Sequence, residues 1–111
     1  MSTLCRSLPR SDVHLLGGVF RARFDVNRSY VASLKPENLL QNFYLEAGMR
    51  QGIFRCSQFG NPDYGDDRHW GWESPTCQVR GHFLGHWLSA AAQIWAATGD
   101  EELKLKADFV V

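Results

Sequence analysis

The chain has 111 residues, about the length of one domain. Twelve Lys and Arg balance twelve Asp and Glu, so the formal net charge is zero and no basic stripe is present to hold nucleic acid or an anionic membrane surface. Apolar residues make up 44%, which argues against wholesale disorder, and four Trp, seven Phe and three Tyr supply flat faces for a core or a pocket.

Residues 1–12 are polar, with Pro9 and several Ser and Arg, and are expected to form a flexible lead-in; they hold no apolar run of the kind that makes a secretory signal, which leaves the cytoplasm as the default expectation. Val13 to Leu16 is a short apolar run stopped by Gly17 and Gly18, a strand or an extended arm. Phe20, Phe24, Val31 and Leu34 then fall on one helix face, predicting a helix over 20–34. Asn27 sits on that stripe, as a buried amide bonded to neighbouring backbone or, alternatively, as a site residue. Pro36 opens a second helix, Leu39, Leu40, Phe43, Tyr44 and Ala47 repeat along it, and Gly48 stops it near residue 47. Residues 49–79 lose the periodicity. Their Gly, Pro, Asp and Asn predict a long loop, and Phe54, Phe59, Tyr64, Trp70 and Trp72 predict that it packs against something.

The third helix is expected over 81–98, stopped by Gly99, with Asp100 as N-cap of a fourth over 100–111 whose apolar side is Leu103, Ala107 and Val110. The terminal Phe109-Val110-Val111 has no polar cap, so the sequence reads as cut inside a helix. The longest apolar-rich stretch, Phe83 to Ala97, is interrupted by Gly85, His86, Ser89 and Gln93 and is too short and polar to span a bilayer. Cys5, Cys56 and Cys77 form no CxxC pair, so no zinc knuckle or disulfide framework is expected. The fold class is all-α, built from helix hairpins with a long aromatic loop.

Chemistry concentrates at the third helix. At ~100° per residue, His82, His86, Ser89 and Gln93 share one stripe, while Leu84, Leu88, Ala91 and Trp95 oppose it; Trp87, Leu88, Ala91 and Trp95 are expected to pack between helices, with His82 and His86 toward a cavity or solvent. A surface helix would carry Lys and Glu on its polar face. An uncharged stripe of His, Ser and Gln suits the lining of a polar cavity, with an ordinary exposed face as the plainer alternative. His82 and His86 at i, i+4 could ligate a metal, but Phe83 stands where a zinc protease needs Glu, and a third ligand would have to come from His69, an Asp, a Glu or a Cys. Upstream, Trp70-Gly71-Trp72-Glu73-Ser74 offers rings that can stack on sugars and a carboxylate that can bond hydroxyls; the plainer alternative is a plug holding the loop to the core. Asp63, Asp66 and Asp67 read as turn formers.

Taken together, these motifs resemble the N-terminal part of glycoside hydrolase family 127. The resemblance rests on Gly71-Trp72-Glu73, on Gly81-His82-Phe83-Leu84-Gly85-His86-Trp87-Leu88-Ser89-Ala90 and on Thr98-Gly99-Asp100. It is extended upstream by Asn27-Arg28-Ser29-Tyr30, Leu34-Lys35-Pro36-Glu37-Asn38-Leu39-Leu40 and Asn42-Phe43, and covers about residues 13–111. It implies part of an (α/α)6 barrel, a β-L-arabinofuranosidase-like activity, and a sugar or oligosaccharide as ligand. The family's cysteine nucleophile, its zinc site of Cys and Glu ligands and its Glu acid/base belong to motifs beyond the matched segment. Cys5, Cys56 and Cys77 do not match them in context. The resemblance therefore assigns this chain no catalytic residue, metal ligand or cofactor of its own, with zinc possible in the full-length family. His82, His86, Trp72 and Glu73 are the candidate sugar-binding residues. Two other readings compete: a non-catalytic all-α binding or scaffold protein, and a His-based metal module. Helix faces without neighbours predict self-association.

Overall fold

A computed structural model describes residues 5–9, 12–49, 69, 71–75 and 77–111. Among these residues five helices follow in order: α1 (Val19–Ser33), α2 (Pro36–Leu39), α3 (Gln41–Glu46), α4 (His82–Thr98) and α5 (Glu101–Val110), with a 3-10 turn, Gly71–Glu73, ahead of α4. No strand occurs among the described residues. Val13 to Leu16 is irregular and exposed. No described helix is long and apolar enough to cross a membrane.

Helix α1 starts behind Gly18 and stops where Leu34 and Lys35 turn extended, as the residue before a proline must. Its last carbonyls have no partner within the helix. Two are taken from outside: the Trp87 indole N–H donates to the Val31 carbonyl at 2.9 Å, and Lys106 Nζ donates to the Ala32 carbonyl at 2.6 Å. Each joins α1 to a different helix. The expected stripe on α1 is only partly used. Val31 is buried and Phe24 and Leu34 are half-buried, but Phe20 is exposed, and so is Asn27, which is not the buried amide expected.

The single helix expected over 36–47 is two. The chain breaks at Leu40 (φ −84°, ψ 0°), although Leu40 N–H still reaches the Pro36 carbonyl at 2.9 Å and Tyr44 N–H the Leu40 carbonyl at 3.0 Å. Past the break, Gln41 and Asn42 turn inward while Phe43 faces out.

Helices α4 and α5 form a tight hairpin. Gly99 takes the left-handed conformation (φ 69°), its N–H bonded to the Trp95 carbonyl at 2.7 Å, and Asp100 then caps α5 by accepting from Leu103 N–H at 3.1 Å. Arg28 reaches across from α1 to the same carboxylate, Nη2 to Oδ2 at 2.7 Å. The core is Val31, Leu39, Leu84, Trp87, Ala91, Ile94 and Leu103. On α4 the buried line is Leu84, Trp87, Ala91 and Ile94, turned about 50° from the expected Leu84, Leu88, Ala91 and Trp95. Leu88 is half-buried and Trp95 is exposed at 39%. The turn follows from Trp87: a buried indole needs an acceptor, and the free end of α1 supplies one.

Candidate functional site

The residues marked by the sequence gather at the start of α4. Gly81, left-handed at φ 92°, swings the chain into the helix and offers no side-chain cap of its own. The first N–H groups of α4 therefore need acceptors from elsewhere. Glu73 provides them. Its Oε1 accepts from Phe83 N–H at 2.8 Å, Gly81 N–H at 3.1 Å and Leu84 N–H at 3.3 Å, and its Oε2 from Gly81 N–H at 2.9 Å. The Asn42 side-chain amide donates to Oε2 at 3.0 Å. The Glu73 carbonyl accepts from Gln41 Nε2 at 2.5 Å and Asn42 Nδ2 at 2.9 Å.

Glu73 is thus 1% exposed, a buried carboxylate held by backbone donors and the positive end of a helix. That is a structural station, with both oxygens turned to the start of α4.

Trp72 does the opposite. The residue is 57% exposed, and its ring lies 6.5 Å from the His86 ring, centroid to centroid, tilted by 46°. His82, one turn earlier on α4, is exposed with Nδ1 3.1 Å from the Val79 carbonyl. Ser89 and Gln93 continue the exposed stripe, with Ser89 bonded back to the Gly85 carbonyl at 2.9 Å. Among the described residues this stripe faces outward and is not enclosed. Further along, Gln93 joins Asn27, Phe24 and Val13 around a groove of about 410 Å³ between α1 and α4.

His69 sits behind the station. Its ring meets the Phe83 ring edge-on at 4.9 Å, and its carbonyl accepts from Gln41 Nε2 at 2.6 Å. Its Nε2 and the Asn42 Oδ1 are buried without a partner among the described residues. Burial holds the imidazole below its ordinary value near 6.5, against the opposing pull of the Glu73 carboxylate.

The sequence marks His69 only as a candidate metal ligand, and periodicity missed Gln41 and Asn42. It assigned α3 by its apolar residues, and the two amides fall between those. The signals were an off-stripe Gln-Asn pair in a helix otherwise rich in Leu and aromatics, and the place of Asn42 in the family resemblance. Trp70, Cys56, Asp63, Asp66 and Asp67 lie outside the described residues, as does most of the loop expected over 49–79.

The zinc centre implied by the resemblance needs thiolate and carboxylate donors within bonding distance of one point. Among the described residues no three His, Cys, Asp or Glu side chains gather in that way. Cys5 is exposed, Cys77 is half-buried, and the Glu73 oxygens are already engaged. These residues do not fit a zinc site.

Against known proteins, residues 12–111 match the family model described as Beta-L-arabinofuranosidase, GH127 catalytic domain. No curated protein and no solved structure matches the chain.

Proposed function

The chain belongs to the GH127 β-L-arabinofuranosidase catalytic-domain family, and on that premise we propose that it forms the part of a sugar pocket in which Trp72 and His86, with His82, meet the sugar. The observation that carries this is the exposed Trp72 ring beside His86 on a fixed helix start. An indole face suits the C–H face of a sugar ring, and imidazole nitrogens suit its hydroxyls. Glu73 supports the pocket from behind and does not touch the ligand.

The chemistry of bond cleavage lies outside these residues. Retaining hydrolysis needs an acid/base and a nucleophile flanking the bond, ~5–5.5 Å apart where both are carboxylates. Both Glu73 oxygens are already engaged by Asn42 and the start of α4, which suits neither part.

The test is titration of ¹⁵N-labelled chain with methyl β-L-arabinofuranoside. Shifts at the Trp72 indole and at His86, saturating in the millimolar range or weaker and lost in Trp72→Ala, are expected. Shifts elsewhere only, or none, would refute the pocket reading. Residues 1–111 are also expected to release no arabinose from an aryl β-L-arabinofuranoside. Turnover abolished by Glu73→Gln would show that Glu73 acts on the substrate after all.

A further inference from the structure

We propose that Glu73 is a positioning residue for the sugar-contacting face: by engaging α3 and the N-terminus of α4 it fixes the neighbouring Trp72 ring beside His86. This rests on the reading of Trp72 and His86 as the sugar contacts, and it adds what sets their spacing.

More than half of the Trp72 surface is exposed, so packing against the core does not hold the ring in place. The backbone on either side does. Gly71 is left-handed (φ 71°), a conformation that a side chain would strain, and its carbonyl accepts from Ser74 N–H at 3.0 Å to close the turn. On the other side, Glu73 is gripped twice. Gln41 and Asn42 hold its carbonyl from α3, and α4 holds its carboxylate through Gly81, Phe83 and Leu84. Because His86 lies on α4 itself, the segment bearing Trp72 and the helix bearing His86 are tied through one side chain.

A Glu that merely capped α4 would lend stability and leave the Trp72–His86 spacing to other contacts. The two roles separate in an experiment. In the wild-type chain, nuclear Overhauser contacts are expected between Trp72 and His86 ring protons. Glu73→Gln keeps the size and places an amide N–H₂ against the helix N–H groups. It is expected to lose those contacts while the helical circular dichroism and the buried Trp87 indole signal persist. Affinity for methyl β-L-arabinofuranoside should then weaken about tenfold. Glu73→Asp, which retains the charge, is expected to recover part of both.

If Glu73→Gln does not fold, Asn42→Ala loosens the grip from α3 and leaves the α4 bonds in place, and it is expected to weaken the same ring contacts. Folded variants that melt earlier yet keep wild-type Trp72–His86 contacts would overturn the proposal. Ring contacts that depend on Glu73 in a chain that binds no arabinofuranoside would support the positioning and refute the sugar reading.

Discussion

Trp87 and Trp95, eight positions apart on α4, show how the face a residue takes changes the energetics. Trp87 is 2% exposed and its N–H is bonded to the Val31 carbonyl. Trp87→Ala leaves a large cavity and an unpaired carbonyl, and should cost ~3–5 kcal/mol. Trp95 has a partly exposed ring and a 3.3 Å bond to Glu101, so Trp95→Ala should cost well under half of that. Urea denaturation of both variants checks the order, and equal losses would contradict the assigned faces. The sequence expects both indoles between helices; only Trp87 packs there, because apolar spacing is blind to which indole can find an acceptor. His69 supplies a pH test. Its folded pKa is lowered, so between that value and ~6.5 the unfolded chain binds more protons than the folded one. The folded state is therefore favoured above ~6.5 and weakens as pH falls from there through the folded value. Melting temperature should drop between about pH 7.5 and about pH 5.5, and less so in His69→Gln. Parallel drops would exclude His69 as the group responsible.

At the level of elements, the joint between α4 and α5 was legible because its chemistry is local. A Gly that can turn left-handed and an Asp that can cap are written side by side at 99 and 100. Asp100→Ala should cost about 1 kcal/mol through loss of the cap. Leu103 N–H first, and then Arg28, hold the Asp100 carboxyl below its ordinary value near 3.8. A lowered carboxylate stabilises the fold above its unfolded value, and that benefit is lost as pH falls through the folded value. The wild-type advantage over Asp100→Ala in urea should thus be full at neutral pH and shrink below about pH 4. A constant gap would show that ionisation has no part in the cap. The α2–α3 break was not legible, since Leu39, Leu40, Phe43 and Tyr44 fit one unbroken helix. Its cause is long-range: Gln41 and Asn42 turn toward Glu73, about thirty residues away.

For the molecule as a whole, the all-α class could be read from spacing, and so could the shared helix face of His82 and His86. The inward direction of Glu73 could not, because a carboxylate after two tryptophans looks the same on paper whether it meets a sugar or a helix. Large apolar side chains remain on the surface: Leu16 at 85%, Phe20 at 77%, Leu105 at 67% and Phe109 at 57% exposed. Leu105 and Phe109 line a groove of about 430 Å³ with Leu34 and Pro36. Exposed apolar surface on this scale favours association. Residues 1–111 are expected to show an apparent mass in sedimentation that rises with concentration, and Phe109→Glu should lower it. A monomer at all concentrations would mean that these faces are tolerated in water as they stand.

The bonds around Glu73 also bear on the order of folding. They join a side chain of α3 to a residue 31 positions later, and that residue to Leu84, 11 positions further on in the first turn of α4. Closing the longer of these loops carries an entropy penalty that the α4–α5 hairpin, with its two-residue joint, does not face. The hairpin can therefore assemble while the first turn of α4 is still frayed, and the acceptor for that turn arrives last. Glu73→Gln should accelerate unfolding and leave the refolding rate near wild type, whereas Ile94→Val, inside the hairpin, should slow refolding. Stopped-flow chevrons of the two variants decide it: slowed refolding in Glu73→Gln would place the carboxylate in the nucleus.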